Sequence, residues 1–270
     1  MNRKPIGVFD SGLGGLTAVK ELLKILPGED IVYFGDTSRV PYGSKSRDTI
    51  IRYAKQDLNF LSSFNIKAAL VACGTVSSVA IPDVSNGYPF PVIGVIDSTA
   101  KAAIAATRNK KIGIIGTTAT VNSQSYVKKL ASLDSECRTL SVACPLFVPL
   151  VENGHISEND AITASVVELY LSKIKEFGAD TVILGCTHYP IIAHAIGKYL
   201  GEDVVLINSG REAAKSIKTY LEQKDELTDN PKGKQRYFVS DSAKDFETLG
   251  SIFMNRSIDG EVDKIDIEKY

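Results

Sequence analysis

Two short stretches place a thiol beside small and hydroxylated residues: Ala72-Cys73-Gly74-Thr75 and Gly185-Cys186-Thr187-His188-Tyr189-Pro190. A thiol ionises near pH ~8.5, so it can hold or release a proton close to neutrality. To act as a base it needs a helix N-terminus, a cation or another base beside it. Cys186 has His188 two residues on, and both cysteines precede helix-compatible segments whose dipoles would favour a thiolate. Two thiols on opposite sides of a ligand could take a proton from one face of a carbon and return one to the other. Free cysteines are also common as small buried hydrophobes, so residue type alone leaves both readings open.

Two further motifs follow strand-like runs. In Asp10-Ser11-Gly12-Leu13-Gly14-Gly15 the glycines suggest an anion-cradling turn. The dinucleotide pattern fails at its sixth position, which is Thr17, and no P-loop lysine follows. What remains is an acid at a strand end with nearby backbone amides that could bind a carboxylate; the plain alternative is that Asp10 or Ser11 caps a helix. The stretch Gly35-Asp36-Thr37-Ser38-Arg39-Val40-Pro41-Tyr42-Gly43-Ser44 has the polar and turn-forming residues of a binding loop. A zinc site built from Cys73, Cys186 and His188 is a competing use of the same side chains. Only His155 and His194 remain as histidines, and no fourth ligand is apparent.

Behind these motifs, short apolar runs alternate with helix-compatible stretches. Strands are expected at Ile6–Phe9, Ile31–Phe34, Ala68–Ala72, Val92–Val95, Lys111–Ile115, Thr181–Leu184 and Arg236–Val239. Helices are expected at Leu16–Leu26, Ser46–Phe64, Val121–Leu133, Asp160–Phe177, Pro190–Leu200 and Glu212–Leu221, with an exposed loop at Asp225–Lys234. Uninterrupted apolar strands separated by helices imply parallel sheets covered on both faces, an α/β fold. Ile6-Gly7-Val8-Phe9-Asp10-Ser11-Gly12 is echoed by Ile112-Gly113-Ile114-Ile115-Gly116-Thr117-Thr118, and the Cys73 segment by the Cys186 segment, in the same order and at nearly equal offsets. The echo implies two pseudo-symmetric domains, residues 1–97 with 209–270 and residues 98–208, facing each other across an interdomain cleft. Each cysteine then follows the carboxyl end of a parallel strand, where open α/β sheets place ligand-binding groups.

Taken together, the Asp10–Gly15, Gly35–Gly43, Cys73 and Cys186–Pro190 motifs, with Tyr237-Phe238-Val239-Ser240-Asp241 near the end, resemble the glutamate racemase group of the aspartate/glutamate racemase family. They occur in that family's order, and the resemblance covers nearly the whole chain. It implies a two-base, pyridoxal-independent interconversion of L- and D-glutamate that supplies D-glutamate for bacterial peptidoglycan, with no cofactor and no metal. Cys73 would act on the D-isomer's proton and Cys186 on the L-isomer's. Asp10 would assist Cys73, and His188 with Glu152 would assist Cys186. Asp10, Ser11, Pro41, Tyr42, Gly43, Gly74, Thr75, Thr187 and His188 fall where the family contacts substrate. One departure stands out: the family usually carries Asn after the first cysteine, and this chain has Gly74. The resemblance leaves side-chain length selection open, so an aspartate racemase is the nearest alternative.

Bulk properties remove other classes. The 270 residues carry a net charge of −1, with basic residues scattered, so no nucleic-acid surface is expected. No apolar run approaches the ~18 residues of a membrane span, and no signal-peptide core precedes Ile6, so a cytoplasmic protein is expected. Four cysteines (Cys73, Cys137, Cys144 and Cys186) without a CxxC pair do not make a disulfide scaffold. Whether the chain forms a homodimer is left open.

Overall fold

A computed structural model describes residues 2–258 and 261–270. Among these residues ten strands form two sheets: β1 (Ile6–Asp10), β2 (Ile31–Gly35), β3 (Ala68–Val71), β4 (Val92–Gly94), β5 (Lys111–Gly116), β6 (Arg138–Ala143), β7 (Thr181–Leu184), β8 (Val205–Asn208), β9 (Gln235–Val239) and β10 (Val262–Lys264). The first sheet runs β10-β9-β2-β1-β3-β4 and the second β6-β5-β7-β8, with every pairing between these strands parallel. The central strands β1, β2, β3 and β7 are buried along their whole length. Helices cover both faces, which accounts for their unbroken Val/Ile/Leu/Phe runs.

The order β2-β1-β3-β4 repeats as β6-β5-β7-β8, so the sequence echo is carried into topology. Registers match as well. Phe9 pairs with Val71 in the first sheet and Ile115 with Leu184 in the second, so each catalytic-candidate cysteine lies two residues past an equivalent pair. In both sheets the chain moves to one side of its first strand and then crosses to the other. Ligands of open α/β sheets bind at that crossing.

Helix placement follows cap chemistry and apolar spacing. Helix Arg47–Ser62 starts where Ser46 Oγ accepts the Thr49 N–H at 3.4 Å, and it buries Ile50, Ala54, Leu58 and Leu61 on one stripe. Helix Ser209–Gln223 begins directly after β8, with Asn208 Oδ1 capping Arg211 N at 3.1 Å. It then lies on helix Leu16–Ile25, where Gly210 comes so near that an added Cβ would sit 3.1 Å from Ala18 Cα. This helix returns the chain from the second sheet to the first.

Three strands lie outside the expected set: β6, β8 and β10, all at sheet edges. Helices Ile96–Ala106 and Ala243–Met254 were also not expected. The Pro190–Leu200 stretch opens as a 3-10 turn, Tyr189–Ile192, and becomes α-helical at Ala193–Leu200. No helix among the described residues is long and apolar enough to cross a membrane.

A buried ion pair ties the N-terminal segment to the region after helix Ser209–Gln223. Lys67 Nζ meets Glu29 Oε2 at 2.5 Å and donates to the carbonyls of Asn2 and Glu226, both at 2.8 Å. Glu29 Oε1 accepts the Thr228 N–H at 2.9 Å. Lys67→Met would strand the Glu29 carboxylate in the interior and is expected to cost about 3–5 kcal/mol of unfolding free energy. Urea titration measures this, and Lys67→Met/Glu29→Leu is expected to recover much of the loss. Unchanged stability in the single variant would contradict the reading.

Candidate active site

The two crossing points face each other, and between them lies a cavity of about 370 Å³. Its wall comes from strand carboxyl ends: Ser11 and Gly12 after β1, Val40–Ser44 after β2, Cys73–Thr75 after β3, Thr117 and Thr118 after β5, Cys144 and Pro145 after β6, and Cys186–His188 after β7. Val148, Pro149 and Glu152, from helix Phe147–Glu152, complete it. Both thiols therefore open into one chamber, one from each sheet.

Their surroundings differ. Cys73 is the N-cap of helix Gly74–Val79, its sulfur accepting the Val76 N–H at 3.5 Å while the thiol lies 3.4 Å from Ser11 Oγ as donor. Burial first, and then the nearby Asp10 charge, push this thiol up to about 12, against the pull of those hydrogen bonds. Cys73 is thus built to hold its proton. Cys186 Sγ lies 3.9 Å from His188 Nδ1, and His188 Nε2 lies 3.0 Å from Glu152 Oε1. Burial alone would strip the charge from His188, but its bonds to Cys186 and Glu152 outweigh that and raise it to about 10. An imidazolium held by a carboxylate is the cation a thiolate requires at its side.

Asp10 occupies a place different from the one expected of a substrate contact. It is buried behind the wall, with Oδ2 accepting the Gly12 N–H at 3.1 Å, and it does not line the cavity. Oδ1 has no hydrogen-bond partner among the described residues. Burial raises its carboxyl above the ordinary range, although the His188 charge opposes this. Its position suits a charge acting on Cys73 from behind the wall. Ser11, Pro41, Tyr42, Gly43, Gly74, Thr75, Thr187 and His188 all lie in the wall, as does Glu152.

Glycines let the two lobes meet. A Cβ on Gly14 would stand 2.1 Å from Thr187 Oγ1 and 2.6 Å from His188 Nδ1. The Gly12–Gly15 turn is therefore a surface of close backbone approach to the Cys186 loop, and Thr17 Oγ1 reinforces it by donating to the Thr187 carbonyl at 2.9 Å. Opposite, a Cβ on Gly74 would fall 2.1 Å from the Gly185 carbonyl oxygen. Any side chain at position 74 would meet that carbonyl unless one side of the seam shifted. Thr75 Oγ1 and Thr117 Oγ1, 2.9 Å apart, close the same seam with a hydroxyl pair.

Several wall residues lie outside the candidate-site motifs read from sequence: Thr117, Thr118, Cys144, Pro145, Val148 and Pro149. Thr117 and Thr118 had a signal, since the echo aligns them with Ser11 and Gly12. Cys144 and Pro145 follow β6, the unrecognised edge strand, and so lost their strand-end position. Among the described residues the wall carries neither lysine nor arginine. A carboxylate ligand would therefore be met by hydroxyls, His188 and the opening N–H groups of helical turns, which lack intrahelical partners. Among the described residues no group of three or more His, Cys, Asp and Glu side chains is disposed to hold a metal ion.

Comparison with known proteins agrees with this architecture. The profile of the Asp/Glu/Hydantoin racemase family matches residues 7–217. The glutamate racemase of Geobacter metallireducens is 41% identical over 266 residues, spanning 98% of this chain and 97% of that protein. Among solved structures, a glutamate racemase isoform from Bacillus anthracis superposes with a TM-score of 0.94 at 38% identity, covering 98% of this chain and 99% of that one. The glutamate racemase of Francisella tularensis, in complex with D-glutamate, gives 0.92 at 37% identity with both chains covered in full.

Proposed function

The chain belongs to the Asp/Glu/Hydantoin racemase family, and from that premise we infer that its cavity interconverts L- and D-glutamate by moving the Cα proton between two thiols. One observation carries the reading: Cys73 and Cys186 follow equivalent strand ends in two facing sheets and line the same chamber.

For L-glutamate, Cys186 as thiolate takes the Cα proton while Cys73 as thiol delivers its proton to the opposite face. The imidazolium of His188, anchored by Glu152, supports the first step. The high proton affinity of Cys73 supports the second. From D-glutamate the roles exchange. No atom is gained or lost, but each turnover leaves the two sulfurs with their protonation swapped, so a proton must pass through solvent before the same enantiomer can react again. Charge developing at Cα is spread into the α-carboxylate, where hydroxyl and backbone donors are held in place in advance of the reaction.

The same reading divides the chain into residues 1–97 with 209–270 and residues 98–208, places it in the cytoplasm as a monomer or homodimer, and assigns its D-glutamate to peptidoglycan synthesis. The test follows the optical signal of L-glutamate in D₂O. The expected course is decay to zero ellipticity, with deuterium at Cα of the product. Racemisation of L-aspartate at an equal or greater rate would overturn glutamate as the substrate. Product formed without solvent deuterium would overturn the two-thiol route.

A further inference from the structure

Five consecutive wall residues, Val40 to Ser44, stand on a buried charge cluster that does not itself reach the cavity. Arg39 is its centre. Its guanidinium donates to Asp36 Oδ2 at 2.6 Å, to Asp57 Oδ1 at 3.1 Å and to Gln56 Oε1 at 2.5 Å, and it lies 4.0 Å over the Tyr53 ring. Asp36 also accepts from the Tyr42 hydroxyl, and its other oxygen accepts from Ser240 Oγ at 2.8 Å. Tyr42 is thus a wall residue whose hydroxyl reaches back into the cluster. Asp36 and Asp57 are fully buried. Burial, and then repulsion from Asp36, hold the Asp57 carboxyl well above the usual carboxylate range, against the pull of Arg39.

We propose that Arg39 is a positioning residue for the racemisation: clamped between Asp36, Asp57 and Tyr53, it fixes the Val40–Ser44 wall against which the substrate is held. Arg39 does not line the cavity, so its effect should reach binding through the loop it holds. The planar fork reaches Asp36, Asp57 and Gln56, and Glu268 at its solvent end, while stacking on a ring, which one ammonium cannot reproduce. Gly43 sharpens the requirement, because a Cβ there would already stand 3.0 Å from Thr117 Cβ of the other lobe. Drift of this loop therefore either opens the seam or jams it.

This rests on the glutamate reading, and the two can fail separately. Wild-type turnover of glutamate tests the reading, while variant-to-wild-type ratios test Arg39. Arg39→Lys is expected to raise KM about tenfold for both enantiomers, with kcat changed by less than about threefold. Glu268→Gln, at the solvent end of the same guanidinium, is expected to leave both constants at wild-type values. If Arg39→Lys does not fold, Tyr42→Phe removes a single hydroxyl from the cluster and is expected to raise KM about threefold. The proposal is overturned if folded Arg39→Lys keeps the wild-type KM, if it lowers kcat with KM unmoved, if Glu268→Gln matches it, or if Tyr42→Phe leaves KM unchanged.

Discussion

Cys73→Ala and Cys186→Ala are each expected to lose net racemisation, lowering kcat/KM by about 10³-fold or more, within the range that one positioned acid or base contributes. A constraint independent of the protein sharpens this. Enantiomers have equal free energy, so the equilibrium constant is one and kcat/KM must fall by the same factor from L and from D in any variant. The two halves can be told apart only by a partial reaction. With Cys73 removed, Cys186 and His188 remain intact on one side of the chamber. That variant is expected to exchange the Cα proton of L-glutamate with solvent, returning it with configuration retained, and to leave D-glutamate untouched. Cys186→Ala is expected to show the reverse, and more weakly, because burial and the Asp10 charge make Cys73 slow to become a thiolate. Proton NMR in D₂O reads both. Near wild-type racemisation in either variant would sink the two-thiol mechanism. Exchange of the same enantiomer by both variants would sink the assignment of faces.

Legibility from sequence followed burial. Central strands such as Ile6–Asp10 and Thr181–Leu184 are covered on both faces, so every residue is apolar or tightly packed and the run reads plainly. The missed β6, Arg138–Ala143, is an edge strand and half-exposed along most of its length, so Arg138, Thr139 and Ser141 blur the pattern. β8 and β10 fail for the same reason. The site behaved alike. Wall residues with distinctive neighbours (Pro41 to Gly43, or Cys186 to His188) were readable. Val148 and Pro149 sit in a short helix whose only credential is where it packs. Arg39 stood in plain view inside the Gly35–Ser44 motif, yet its weight depends on Asp57 and Ser240, distant in sequence and joined to it only by the fold.

Gly74 is the residue that sequence comparison would rate as a loss and that geometry makes a requirement. Its missing Cβ would overlap the Gly185 carbonyl at 2.1 Å, and that carbonyl cannot retreat. The Gly185 N–H is bonded to Ile115 O at 2.8 Å, its own Cα is already pressed so close to that oxygen that an added Cβ would lie 2.7 Å away, and the Tyr126 ring stands behind it. Gly74 is fixed in turn as the first residue of the helix that Cys73 caps. With both partners anchored, relief of the overlap is expected to come from separating the two lobes, which would move the thiols apart by about 1 Å. A displacement of that size costs roughly 10²-fold where two groups must meet one carbon. Gly74→Ala is therefore expected to lower kcat/KM about 10²-fold in both directions, with little change in thermal stability because the strain is taken at a seam and not in a core. Gly87→Ala, where an added Cβ meets nothing within 4 Å, serves as the neutral control. Wild-type kinetics in Gly74→Ala would mean that the lobes part freely during turnover and that the close approach is incidental to the chemistry.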